Sequence, residues 1–206
     1  MNPKRRIGNI LLIIGAALLI AGGFWYLCNK AESERASVLS DELTGKVKTV
    51  IEGSSESGVE AGGSSSSDTA GEGMPSELTV VDVDGYPCIG YLTIPSADLE
   101  MAVLDNWEDQ NLKHSLCRYF GSPYTNDFII AGHNYSSWFG KLKELEIGDE
   151  VIFTDMNGNV YVYTVEEMEV IPGTGTEEMI SAEWDLTLFT CTYGGWDRYT
   201  VRCKYK

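Results

Sequence analysis

Cys191 closes the apolar run "LTLFT", and Arg198 opens the run "RYTVRC" after the polar loop "TYGGWD". A thiol attacks a carbonyl carbon well only as its thiolate, and a free cysteine ionises near pH ~8.5. It therefore needs an imidazole, a cation or a dipole close by. An arginine offers a planar fork of donors that stays charged at any working pH and suits a developing oxyanion. A thiol and a guanidinium at facing strand ends would fix a nucleophile and an anion stabiliser at adjacent places. The base must be one of two histidines. His133 ends the buried run "DFIIAGH" where a rigid strand meets a loop, the setting in which chemistry gathers. His114 lies among charged neighbours in "NLKHSLC", so His133 is the candidate. Arg202 competes for the role of Arg198 because it shares its strand face, but it lies about 13 Å further along an extended strand.

Positioning these groups falls to short strands. From Leu78 onward the chain alternates brief apolar runs with turn residues. "GYLTIPSADLEMAVLD" predicts two strands around Pro95, and "EVIFTDMNGNVYVYTVEEMEVI" predicts a hairpin at Asn157-Gly158. That dipeptide takes the positive φ of a tight turn best. Helix is minor, mainly "SSWFGKLKEL". The pattern predicts a mainly β domain, a small barrel or sandwich, over residues 78–206. In the last strand Tyr199, Val201, Cys203 and Tyr205 alternate with Arg198, Thr200, Arg202 and Lys204, which puts Cys203 on the core side and Arg198 on the other. Cys88, Cys117 and Cys203 read as buried thiols, with a disulfide among them left open.

The segment ahead of this domain has a different texture. Residues 1–28 combine a basic tip, Lys4 to Arg6, with an uncharged apolar stretch from Ile7 to Leu27. About 21 helical residues span roughly 30 Å, the thickness of a bilayer's hydrocarbon core. The run exceeds a usual signal-peptide core and has no clean cleavage site after it. The expectation is a single-pass anchor with a cytoplasmic N-terminus and the rest of the chain outside the cell membrane. Residues 29–52 carry Leu39, Leu43, Val47 and Val50 at helical spacing and read as a juxtamembrane amphipathic helix, a stalk. Residues 53–77 are rich in Gly and Ser and read as a flexible tether. On that reading, removing residues 1–77 leaves a soluble, active domain. A net charge of −16 argues against nucleic acid as a partner.

"TLFTC", Thr187 to Cys191, resembles the Thr-Leu-x-Thr-Cys signature of the sortases. Ala131 to His133 resembles that family's histidine motif, and Arg198 stands where its arginine opens the following strand. The resemblance covers about Gly90 to Lys206, with histidine, cysteine and arginine in the family's order. It implies an eight-stranded, closed β-barrel with short helices, preceded by a transmembrane helix and tether. It implies a cysteine transpeptidase with Cys191 as nucleophile, His133 as general acid and base, and Arg198 steadying the oxyanion; no cofactor or metal is expected. Thr190 occupies a position that often lines the substrate site. The implied partners are secreted proteins with a C-terminal sorting signal similar to Leu-Pro-x-Thr-Gly, and an amine acceptor from a cell-wall peptide or a pilin lysine. The subclass stays open. Glu177, Glu178 and Glu183 lack the spacing of a calcium loop. Two alternatives are a peptidase that only hydrolyses and a non-catalytic, anchored peptide-binding barrel.

Overall fold

The structure, a computed structural model, describes residues 3–56, 77–181 and 183–206. The chain forms two units, Met1–Ala36 and Ser37–Lys206. One helix, α1 (Pro3–Glu56), supplies all of the described part of the first and the opening of the second. In the first unit it is long and apolar enough to cross a membrane, with Leu18, Leu19, Phe24 and Trp25 all exposed. The expected tether begins at Gly53, but helix continues to Glu56; residues 57–76 of that segment lie outside the described residues.

In the second unit nine strands form one sheet: β1 (Val81–Val83), β2 (Tyr86–Ile94), β3 (Leu99–Leu104), β4 (Leu116–Phe120), β5 (Phe128–Ala131), β6 (Glu150–Asp155), β7 (Val160–Pro172), β8 (Leu186–Cys191) and β9 (Asp197–Tyr205). Their order is β1-β2-β3-β4-β5-β8-β9-β7-β6. A second pairing of β2 with β6, Gly90 to Thr93 against Ile152 to Asp155, closes eight of them into a barrel. Three-residue β1 extends the edge of β2 beyond that ring. Closure removes the unpaired strand edges that an open sheet would leave to aggregate. The hairpins around Pro95 and Asn157-Gly158 form as the sequence predicts. At the second, the buried Asp155 carboxylate accepts the N–H groups of Asn157 and Asn159, each at 2.9 Å.

Side-chain direction follows from one contact. Phe128 and Phe153 have ring centroids 5.0 Å apart, yet β5 and β6 lie on opposite sides of the ring. Both rings must therefore point into the barrel. A period of two then sends Ile130 inward and Ile129 and Ala131 outward. Register carries the assignment across the ladder: Leu186 and Leu188 face inward with their β9 partners Cys203 and Val201. Thr187, Phe189 and Cys191 face outward. The outer face is not bare. Ile129, Ala131 and Phe189 pack against Ile171 and Met179 in a second cluster, because the connection between β7 and β8, with a short helix at Thr176–Met179, folds back over it.

The stalk reading of residues 29–52 requires correction. Leu43, Val47 and Ile51, one helical turn apart in sequence, are buried against Val83, Cys88, Ala102, Leu104, Cys117 and Met156. Leu39, expected on the same stripe, is half exposed. Polar ties flank the apolar contact: the Ala102 N–H donates to Thr44 Oγ1 at 2.8 Å, and Lys48 Nζ donates to Glu100 Oε1 at 2.8 Å. The signal was an amphipathic stripe, and burying such a stripe needs a partner surface. The barrel supplies it.

Candidate active site

The β8–β9 ladder puts Cys191 directly opposite Arg198. Residues so paired in an antiparallel ladder have Cα atoms about 4.5–5.5 Å apart and side chains on one face. The loop between them, Thr192 to Trp196, turns through Gly194 (φ 96) and Gly195 (φ 76). Both occupy the left-handed region that glycine enters without steric cost. The loop is tied across its base, where the Thr192 N–H donates to the Asp197 carbonyl at 3.0 Å. Arg198 adds to this. Its Nη1 donates to the Gly195 carbonyl at 2.9 Å and to the Asp197 carbonyl at 3.1 Å. A guanidinium carries five N–H donors, and those on Nε and Nη2 have no acceptor among the described residues.

His133 reaches the same end of the barrel from the other flank of β8. β5 runs parallel to β8, with Ala131 opposite Phe189. The ladder continues one step past β5, since the Gly132 N–H donates to the Phe189 carbonyl at 3.1 Å and Thr190 Oγ1 donates to the Gly132 carbonyl at 2.7 Å. One residue later, His133 emerges at the level of Cys191. Gly132 is required there: a Cβ would stand 2.6 Å from Leu116 Cδ2 and 2.8 Å from Phe139 Cδ2. The imidazole lies 5.1 Å from the Tyr135 ring and 6.4 Å from the buried Trp138 ring, centroid to centroid. The histidine, two residues past β5, thus stands at the same end of the barrel as the cysteine on β8 and the arginine on β9.

Thr190 points inward from β8 and is buried, its hydroxyl held by the carbonyl of Gly132, the residue before the histidine. It also lines a cleft of about 210 Å³ that opens beside Cys191. The other walls come from residues the sequence reading did not single out: Asn134, Ser136, Phe139 and Lys143 from the stretch after His133, and Tyr193 and Tyr199 from β9 and its loop. The available signal was proximity, because the predicted helix "SSWFGKLKEL" follows the histidine closely; it forms as a 3-10 helix, Phe139–Glu144.

The competitors are engaged elsewhere. Arg202 is 2 % exposed, and its guanidinium donates to Glu169 Oε1, Thr187 Oγ1 and the carbonyls of Met179 and Glu178 at 2.6–3.1 Å. It pins the β7–β8 connection to the barrel wall. His114 packs at a tilt against Tyr86, with Nδ1 3.2 Å from the tyrosine hydroxyl, in a recess shared with Leu39 and Leu43 of α1. All five cysteines are free thiols. Burial pushes the Cys88 and Cys117 thiols up to about 12 and raises Cys203 as well, which leaves them protonated and inert. Cys191 is the barrel cysteine that reaches solvent.

Comparison with known proteins gives a consistent result. Residues 92–206 match a family profile described as a sortase domain. The chain is 26% identical to sortase A of Bacillus anthracis over 93% of its own length and 89% of that protein's. Its fold is similar to a sortase D5 transpeptidase of Clostridium perfringens, with a TM-score of 0.56 and 20% identity over 82% of this chain and 97% of that one. It is also similar to sortase C1 of Streptococcus agalactiae, with a TM-score of 0.53 and 26% identity over 61% of this chain and 70% of that one.

Proposed function

The chain belongs to the sortase family of cysteine transpeptidases, and on that premise we propose that it is a membrane-anchored enzyme acting through Cys191, His133 and Arg198. In this reading the Cys191 thiolate attacks a backbone carbonyl of a sorting signal similar to Leu-Pro-x-Thr-Gly. Arg198 donates to the oxyanion as the tetrahedral intermediate forms. His133 protonates the departing amine, the C–N bond breaks, and a thioester remains on Cys191. An incoming amine then attacks the thioester and loses a proton to His133, and the thiolate leaves. The acceptor is an amine of a cell-wall peptide or a pilin lysine. The apolar first unit of α1 holds the enzyme in the cell membrane with its N-terminus in the cytoplasm, so the barrel meets secreted substrates outside.

The observation carrying this reading is the register. Cys191 is the cross-strand partner of Arg198 on one side, and His133 follows the strand paired to β8 on the other. This register, with the three groups on or beside neighbouring strands at one end of the barrel, supports the reading, because oriented groups lower a barrier. The test is mass spectrometry of the protein incubated with sorting peptides and candidate amines. An acyl mass on Cys191 that is discharged by an amine supports the reading. Absence of any adduct, or transfer that persists in Cys191→Ala, refutes it.

A further inference from the structure

Resting on that acyl-transfer reading, we propose that the cleft beside Cys191 seats the amine acceptor, and that Lys143 selects acceptors carrying a carboxylate close to the amine. The argument begins with charge. The chain has 31 Asp and Glu against 15 Lys and Arg, yet no carboxylate lines this cleft. Its one charged lining residue is Lys143, with Arg198 beside the thiol at the same rim. Most other cations of the barrel unit are engaged: Lys46, Lys48, Arg118, Arg202 and Lys206 pair with carboxylates, and Lys141 donates to the carbonyls of Ala97 and Asp98. Lys143 is exposed and enters no ion pair among the described residues. A lone cationic side chain lining a recess free of carboxylates, on a protein that otherwise repels anions, is a local attractor for one.

Size decides which substrate brings the anion. A cleft of about 210 Å³ is smaller than the roughly 300–1,000 Å³ of ordinary small-molecule sites. It holds one small residue, not the several that a sorting signal must present in extended form. An acceptor needs only to place a neutral amine at the thioester carbon and anchor its other end. Phe139 and Tyr199 offer apolar walls for the intervening carbons, Asn134 and Ser136 offer hydrogen bonds, and Lys143 offers the anchor.

The experiment uses the full chain in detergent micelles and a sorting peptide that acylates Cys191. Two acceptors are compared, diglycine and diglycinamide, which differ in the terminal carboxylate. At low ionic strength kcat/KM for diglycine should exceed that for the amide about three- to fivefold, the worth of one partly exposed ion pair, and the ratio should shrink as salt rises. Lys143→Gln should bring the ratio to about 1, and Lys143→Arg should keep it above that. Equal use of both acceptors by the wild-type enzyme overturns the proposal, as does a preference that survives in Lys143→Gln. A variant that slows acylation while leaving the ratio intact also overturns it, because the anion would then belong to the sorting signal. If no acyl mass forms on wild-type Cys191, the underlying reading falls and takes this one with it, a failure visible before any acceptor is added.

Discussion

Arg198 and Arg202 sit on the same face of one strand, and the proposed mechanism gives them opposite duties, which makes them a sharp test of how a guanidinium is used. Arg198 donates from Nη1 to two carbonyls of its own loop, and in the proposed mechanism its other donors face the substrate. Arg202 is buried with four protein acceptors around it. Lysine in either place keeps the charge and loses the fork. Arg198→Lys should therefore lower kcat/KM at least about 10²-fold, the scale of losing an oxyanion donor, with a melting temperature near wild type. Arg202→Lys should instead cost about 3 kcal/mol of stability, since it strands buried acceptors. Denaturant unfolding and peptide turnover on both variants decide the matter. An active Arg198→Lys beside a stable, inactive Arg202→Lys would exchange the assignments.

At the scale of elements, the site depends on how closely β5, β8 and the 3-10 helix after His133 approach one another. Gly132 marks the tightest point. Gly132→Ala would drive a methyl against Leu116 and the Phe139 ring. Overpacking of this kind costs about 1–3 kcal/mol, and the strain would displace the residue immediately following, His133. The expected outcome is a modest loss of stability with a larger loss of acylation rate, and a variant with normal acylation would show that the histidine is positioned by other contacts. Much of this architecture was legible beforehand. Period-two alternation revealed the core face of β9, Asn157-Gly158 revealed the hairpin, and a β run ending in Gly-His revealed the rim. What escaped was whatever depends on elements meeting across the ring. Thr200 and Arg202 read as the face away from the core, yet both are buried, because the β7–β8 connection covers that wall. Local patterning reports how amphipathic a face is and is silent about a distant loop that lies over it. The cleft escaped for the same reason: Phe139 and Lys143 come from the 3-10 helix and Tyr199 from β9, elements with no shared motif.

At the scale of the whole molecule, two stability terms extend beyond the site. The first is alkaline. Cys88 and Cys117 release their protons near 9.0 when the chain is unfolded and near about 12 when folded, and burial raises Cys203 in the same direction. The native state binds more protons than the unfolded one across that interval, so stability is full below pH 9 and falls as pH rises towards 12. The melting temperature should decline over that range, and a Cys88→Ala/Cys117→Ala variant should show a shallower slope; an unchanged slope would remove these thiols from the account. The second term is the docked part of α1. Cutting the chain at residue 78 removes Leu43, Val47 and Ile51 and uncovers Val83, Ala102, Leu104 and Met156. Cutting after Ala36 keeps that face covered while removing the apolar unit. Leu43→Ala alone should cost about 2–5 kcal/mol, the range for emptying a buried leucine site. Residues 37–206 should accordingly melt well above residues 78–206, and the shorter chain should bind a hydrophobic dye and aggregate. Equal melting temperatures and equal turnover for the two truncations would mean that the helix lies on the barrel without supporting it.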